Sequence, residues 1–366
     1  MKFIINREEL LTPLQQIVSV IEKRQTMPIL ANVLMVIKDN HLILTGTDLE
    51  IQIIAKIAIA PTSDGAITVP ARKFLDICRL LPSGAEIKLE VQDDKMKISS
   101  NRSRFSLSCL PADNYPEFTE SEFENQFTIN SGSFKRALEK TMFCMANQDV
   151  RYYLNGLLLH ISNSKLKLVA SDGHRLSIYE DQLPQATGFE ARIILPRKGA
   201  LELSRLLDNP DIDLTIEFSA NNIRVYIENL QFSAKLVDSK YPDFSKVFQQ
   251  DFFNEIHIQK QFLKEALTRV AILSNEKFKG ITLDIASGSL KISTHNPEHD
   301  EAEEEMLIEY TGDDLTIAFN AQYLLDAISN LDSELAVLTI ASNISSCFIH
   351  EPNDGLYKFI VMPMRL

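Results

Sequence analysis

Apolar and polar positions alternate in short runs along the chain, and three of these runs are related. "PILANVLMVIKDNHLILTGTDLEI" from Pro28, "VRYYLNGLLLHISNSKLKLVASDGHRLSI" from Val150 and "KFKGITLDIASGSLKISTHNPEHD" from Lys277 each read as an apolar strand, a short polar turn and a second alternating strand that ends in a loop. The turns fall at Lys38 to Asn40, Ser162 to Ser164 and Ser287 to Gly288. Asp48, Asp172 and Asn296 stand at the ends of the three hairpins, 124 residues apart both times, which is close to one third of the chain.

Two helical patterns keep the same step. "VPARKFLDICRLLP", "LPRKGALELSRLLD" and "FNAQYLLDAISNLD" place Pro70, Pro196 and Asn320 at spacings of 126 and 124, with apolar residues at helical intervals such as Phe74, Ile77 and Leu81. "REELLTPLQQIVSVIEKR", "SGSFKRALEKTMFCMANQD" and "QKQFLKEALTRVAILSNE" open the three units. Each unit closes on a strand, "RFSLSCLP", "QFSAKLV" or "YKFIVMP", in which Phe105, Phe232 and Phe359 are 127 apart. The first two of these strands are followed by "NYPEF" and "KYPDF". The repeat predicts three similar domains, 1–124, 125–248 and 249–366, each with two helices and about eight strands, in an α+β architecture whose sheets are covered by helices on one side.

A hydrophobic content of 45 % is enough to fill such cores. No run approaches the length of a membrane span, and "MKFIINREELL" has acids where a signal peptide needs an apolar stretch, so a cytoplasmic protein is expected. Cys78, Cys109, Cys144 and Cys347 are far apart and form no CxxC pair, which predicts reduced packing residues.

The formal charge of −13 hides an uneven distribution. The six helical stretches, taken as Arg7 to Arg24, Ala71 to Leu80, Ser131 to Arg151, Pro196 to Asp208, Gln259 to Lys279 and Phe319 to Glu334, carry 18 Lys and Arg against 13 Asp and Glu. Everything else carries 19 against 37. A basic helical surface in an acidic protein suits phosphate contact, but lysines placed only for solvation give the same count, and both readings stand. The sixth stretch, at −3, runs against the pattern.

"SDGHRLS", residues 171 to 177, gathers the residue types of a hydrolase triad. It lacks the G-x-S-x-G elbow that commonly presents a nucleophilic serine. The equivalent loops "TGTDLE" and "STHNPE" keep hydroxyls followed by Asp or Asn without the histidine of position 174, as a structural turn or binding loop would. A hydrolase using Ser171, Asp172 and His174 remains the minor alternative. His295 and His299 lie among carboxylates in "HNPEHDEAEEE", yet no HExxH or EF-hand spacing is present and Pro297 opposes a helix, so no metal is expected. The acidic run reads instead as a solvated face or half of an electrostatic interface, with Arg72, Lys73, Arg102 and Arg104 as a basic counterpart. No P-loop and no other cofactor motif is found.

The motifs "PILANVL", "TGTDLE", "QDVRYYLNG", "SDGHRL", "VPARKF", "ILSNEKFKG" and the terminal "VMPMRL" together closely resemble the bacterial sliding-clamp family, the β subunits of DNA polymerase III, from Met1 to Leu366. The resemblance implies a non-enzymatic processivity factor: a head-to-tail homodimer, six domains in a closed ring, encircling duplex DNA without sequence specificity and loaded by an ATP-dependent clamp loader. Its implied partners are the DNA polymerase III catalytic subunit, the clamp loader, and other polymerases and repair proteins that present a short clamp-binding peptide, with no membrane involved. A monomeric three-domain peptide-binding adaptor is the other alternative.

Carried onto matching positions, the resemblance places DNA contacts at Arg24, Arg72, Gln148, Tyr152 and Tyr153. It places a dimer seam between Lys73, Ile77, Arg102, Arg104, Phe105 and Leu107 of one chain and Ile272, Leu273, Glu298, Asp300, Glu301, Glu303 and Glu304 of the other. It assigns a partner-peptide pocket to Leu154, Ser171, Gly173, His174, Arg175, Leu176, Pro242, Lys246 and Val247. The same pocket is expected to include Asn320, Tyr323, Ser346, Ile360, Val361, Met362, Pro363, Met364, Arg365 and Leu366. Familiar members have threonine at Ser171, arginine at Lys246 and valine at Ile360; the lysine would weaken a planar contact and shift partner preference.

Overall fold

The computed structural model describes residues 1–22, 27–119, 122–248, 252–341, 346–352 and 355–365. Among them are twenty-four strands, eight per repeat, and six α-helices. The helices are α1 (Arg7–Val18), α2 (Ala71–Leu80), α3 (Ser131–Thr141), α4 (Arg197–Leu206), α5 (Lys260–Ala271) and α6 (Ala321–Ser329). The fold is α+β, with three similar repeats.

The three hairpins form as the alternation predicts. Lys38 faces His41, Ser162 faces Lys165 and Ala286 faces Ser289, so each turn has two residues. Asp39 and Asn40 both take positive φ, 49° and 58°, which matches the right-handed twist of the flanking strands. The other two turns take positive φ at one residue each, Asn163 at 51° and Gly288 at 76°.

Several helices are shorter than their apolar periodicity suggests. After α3 the chain enters a 3-10 turn at Met142–Cys144, yet Cys144, Met145 and Ala146 remain buried. Burial continues past the helix end, so a pattern of buried positions overstates helix length. Within the observed spans, 13 Lys and Arg stand against 7 Asp and Glu, so the positive excess belongs to the helices themselves.

The chain divides into two compact units, Met1–Phe134 with Lys198–Asp238, and Lys135–Arg197 with Ser239–Leu366. Each contains one eight-stranded and one four-stranded antiparallel sheet. In the first unit the long sheet is made by pairing Ile51–Ala58 with Leu230–Lys235, with Ile53 opposite Phe232. In the second, Arg175–Gln182 pairs with Tyr357–Val361, with Ser177 opposite Phe359. Both junctions join the strand after a hairpin to the closing strand of the next repeat, in the same register. Each four-stranded sheet ends on an edge strand, Ser103–Ser108 in one unit and Glu301–Leu307 in the other. Glu301–Leu307 buries none of its residues, while Ile51–Ala58 buries every second one.

Candidate functional site

The loop after the second hairpin is built by its own polar side chains. Ser171 Oγ donates to the carbonyl oxygen of Arg175 at 2.7 Å and accepts from the Gly173 amide at 3.0 Å. Asp172 Oδ1 accepts from the amides of His174 and Arg175 at 2.9 and 3.1 Å. The first hairpin repeats this bonding, because Thr47 Oγ1 donates to Ile51 O and Asp48 Oδ1 accepts from Glu50 and Ile51 amides. In the third, Asn296 Oδ1 accepts from the Asp300 amide, in a loop one residue longer, and His295 stands where the hydroxyl was. The hydrolase alternative is therefore corrected: Ser171 and Asp172 spend their hydrogen bonds on backbone and Arg175, and no bond joins either to the His174 ring among those described.

Beside this loop lies a cavity of about 310 Å³. Leu154, Ser171, Gly173, His174, Arg175, Leu176, Pro242, Val247, Ile360 and Met362 line it, all of them expected from the sequence. Arg151, Tyr153, Tyr241, Asp243 and Phe244 complete the wall. The "KYPDF" segment supplies three of the residues the sequence reading missed, and its signal was visible in the paired "NYPEF". Met362 is 45 % exposed at the mouth, and its amide donates to the His174 carbonyl at 2.8 Å.

Arg175 lines the cavity with little of its guanidinium uncommitted. Nε bonds Asp172 Oδ2 at 2.9 Å, Nη1 bonds Asp326 Oδ2 at 2.5 Å and Nη2 bonds the Phe143 carbonyl at 2.9 Å. The Tyr323 ring covers it at 4.4 Å, and burial pushes the Tyr323 phenol up. Arg151 holds Asp149 bidentately at 3.0 and 2.9 Å and also reaches the Asp172 carbonyl. That clamp lowers the Asp149 carboxyl to about 2. Tyr241 meets Tyr153 edge-on at 6.2 Å, and burial raises its phenol above the ordinary range.

Other expected pocket residues are placed elsewhere. Asn320 caps α6, accepting from the Gln322 and Tyr323 amides, and its amide donates to the Phe278 carbonyl. Val361 and Ser346 are buried in and beside the long sheet, and Pro363 is half-buried beyond the Met362 rim. Met364 and Arg365 line a separate cavity of about 480 Å³ at the third hairpin. Leu366 lies outside the described residues, as does the side chain of Lys246.

Of the expected DNA contacts, Arg24 lies outside the described residues. Arg72 is exposed on α2 and donates to the Ile21 carbonyl at 2.8 Å. Gln148, at φ 58°, is exposed, and Tyr152 is 74 % exposed. Tyr153 is half-buried, lines the cavity of about 310 Å³ and packs edge-on against the Tyr241 ring.

The expected seam residues fall on two edges. Lys73 is exposed and Ile77 half-buried on α2, Arg102, Arg104 and Phe105 are exposed at the Ser103–Ser108 edge, and Leu107 is buried. On the other side Ile272 is 75 % exposed just after α5, Leu273 is half-buried, and Glu298 and Glu301 are exposed. Three acids already have partners in their own chain. Arg269 of α5 holds Glu304 and lowers its carboxyl, Lys291 reaches Glu303 at 2.7 Å, and Asp300 bonds Asn296. Among the described residues no cluster of three or more metal-ligating side chains occurs, and no helix is long and apolar enough to cross a membrane, which says nothing of a β-barrel.

Models of the DNA polymerase III beta subunit match the chain in three parts: its N-terminal domain over residues 1–119, central domain over 128–243 and C-terminal domain over 245–365. The beta sliding clamp of Escherichia coli K12 is 43 % identical over 367 residues, with all of both chains covered. A crystal structure of the sliding clamp from Pseudomonas aeruginosa, bound to griselimycin, matches with a TM-score of 0.97 at 42 % identity over all of both chains. The clamp from Bartonella birtlesii, also bound to griselimycin, matches at 0.96 and 34 %, again over all of both chains.

Proposed function

The chain belongs to the DNA polymerase III beta-subunit family of sliding clamps, and from that membership we propose how its own residues close a ring, hold DNA and recruit partners. A sliding clamp encircles duplex DNA and tethers the replicative polymerase. It needs no catalytic site, and its ATP-dependent loading falls to another protein.

The observation that carries ring closure is the repeated sheet junction. Twice within the chain, the strand after a hairpin receives the closing strand of the next repeat, Ile53 opposite Phe232 and Ser177 opposite Phe359. Gly46 faces Ile53, Ala170 faces Ser177 and Thr294 faces Ala302 across the hairpins, so Ala302 is the third equivalent position. Its partner by the same rule is Phe105 of a second copy. That register sets Arg104 opposite Glu303 and Arg102 opposite Glu305 on one face. Phe105 and Leu107, with Ile272 and Leu273, supply apolar area on the other. Head-to-tail closure of two chains satisfies both edges, which removes the association hazard of an open sheet.

The helices provide the DNA-facing charge, +6 within their spans, and Arg72, Gln148 and Tyr152 are exposed for backbone contact. Phosphate contact carries no sequence information, and a modest excess limits the counterion release that would hold the ring in place. Encirclement, rather than affinity, retains the DNA.

The cavity of about 310 Å³ at the second hairpin is the partner-peptide site. Leu154, Leu176, Ile360 and Met362 give it an adaptable apolar lining for the side chains of many partners. Retention on DNA tests the whole reading. Loaded protein stays on circular DNA and escapes from linear DNA, and equal loss from both would reject encirclement.

A further inference from the structure

In the first two repeats the hairpin is sealed by a tyrosine from a Tyr-Pro-acidic-Phe segment. Tyr115, 8 % exposed, donates its hydroxyl to the Thr45 carbonyl at 3.3 Å, with the Asn32 carbonyl at 3.5 Å. Tyr241, 7 % exposed, packs on Tyr153 at the second hairpin. The third hairpin has the same framework. Gly280 faces Asn320 as Asn32 faces Pro70 and Gly156 faces Pro196. Met364 bridges Ala318 as Leu110, five residues before Tyr115, bridges Thr68. At the place of the tyrosine, however, lies the cavity of about 480 Å³, walled by Gly280, Thr282, Thr294, His295, Met364 and Arg365 among others, and no tyrosine lines it among the described residues.

We propose that this cavity is a second peptide site, which takes a Tyr-Pro-acidic-Phe segment presented by another protein. The tyrosine ring fills the space beside Thr282 and Met364, and its hydroxyl donates to the Ser293 carbonyl, the counterpart of Thr45, because the Gly280 carbonyl already accepts from Thr294 Oγ1 at 2.7 Å. Arg365 and His295, both exposed, stand at the rim to meet the acid. A second copy of the chain is a poor donor, because Tyr115 and Tyr241 are already buried in their own repeats. Ring closure leaves the site reachable: the first cavity is open although its own strand, Arg175–Gln182, is already paired with Tyr357–Val361.

The probe is a fluorescein-labelled peptide of residues 239–245, Ser-Lys-Tyr-Pro-Asp-Phe-Ser, titrated with the full chain by anisotropy. Saturable binding near a Kd of about 100 μM is expected, weakened about tenfold or more by Tyr→Ala in the peptide and by Thr282→Phe in the protein, and unchanged by Met362→Ala in the first cavity. Methyl NMR of the unaltered protein should show Met364 and Thr282 shifting on titration, which keeps the test decisive if Thr282→Phe fails to fold. No saturation by about 1 mM, indifference to Thr282→Phe, or loss with Met362→Ala and shifts at Met362 alone would overturn the assignment.

Discussion

Ser171 Oγ donates to the Arg175 carbonyl oxygen at 2.7 Å, and Thr47 Oγ1 donates to the Ile51 carbonyl at the same distance one repeat earlier. A hydroxyl fixed in this way ties a loop together and is not poised as a nucleophile. Ser171→Ala removes this bond and the one the hydroxyl accepts from the Gly173 amide and should lower unfolding stability by about 1–3 kcal/mol, and Ser171→Thr should restore it. Chemical denaturation reads both. Activity-based esterase probes should leave the parent protein unlabelled.

Gly173 takes φ +89°, and a Cβ there would stand 2.8 Å from the Arg151 guanidinium nitrogens. Gly173→Ala therefore combines backbone strain with a collision and should cost about 1–3 kcal/mol. Adding Arg151→Ala removes the collision but leaves the strained φ, so a double-mutant cycle should show partial recovery. Full additivity would place the whole cost in the backbone.

Much of this arrangement was legible in the sequence, and the limits have physical causes. The hairpins could be read because alternation has a period of two and the turns carry Asn, Asp or Gly where φ is positive. Helix ends could not, since Cys144 and Met145 stay buried after α3 has ended. The family resemblance, carried on "GHRL" and Met362, pointed to residues that line the first cavity, but the fate of Arg175 depends on Asp326, 151 residues away, and on the Phe143 carbonyl. Tyr153 and Tyr152 are adjacent with opposite exposure, and only packing on Tyr241 separates them. "NYPEF" and "KYPDF" were visible as a pair, while the seat they occupy appears only in three dimensions.

Glu180 should shape the acid limb of stability. Burial works to raise its carboxyl, but Lys165 and Lys167 outweigh this and lower it to about 2 from an ordinary 4.5. Lys167 is its direct cross-strand neighbour, bonded at 2.8 Å, and Lys165 bonds it at 2.7 Å. A depressed carboxylate stabilises fully above its unfolded pKa, and that contribution is lost as pH falls from about 4.5 toward 2. Glu180→Gln should flatten the pH dependence of unfolding in that window, by no more than about 1 kcal/mol because the lysines are solvated. An unchanged slope would mean that the pair persists in the unfolded chain.

The seam register makes a sharper demand than the presence of opposite charges. Arg102→Glu with Arg104→Glu should give monomers in sedimentation equilibrium, because both edges of the homodimer then place acids against Glu303 and Glu305. Each exposed pair contributes only about 0–1 kcal/mol, but like charges repeated at two seams act against every contact that forms register. Glu303→Arg with Glu305→Arg, added to the same chain, should restore the dimer, since Arg104 and Glu303, and Arg102 and Glu305, exchange signs in place. Glu298→Arg with Glu301→Arg should not rescue it, because the proposed register puts Glu301 opposite Ser106, and Glu298 lies before the strand Glu301–Leu307. A dimer restored equally by either reversal would show that net charge, and not strand register, selects the partner edge.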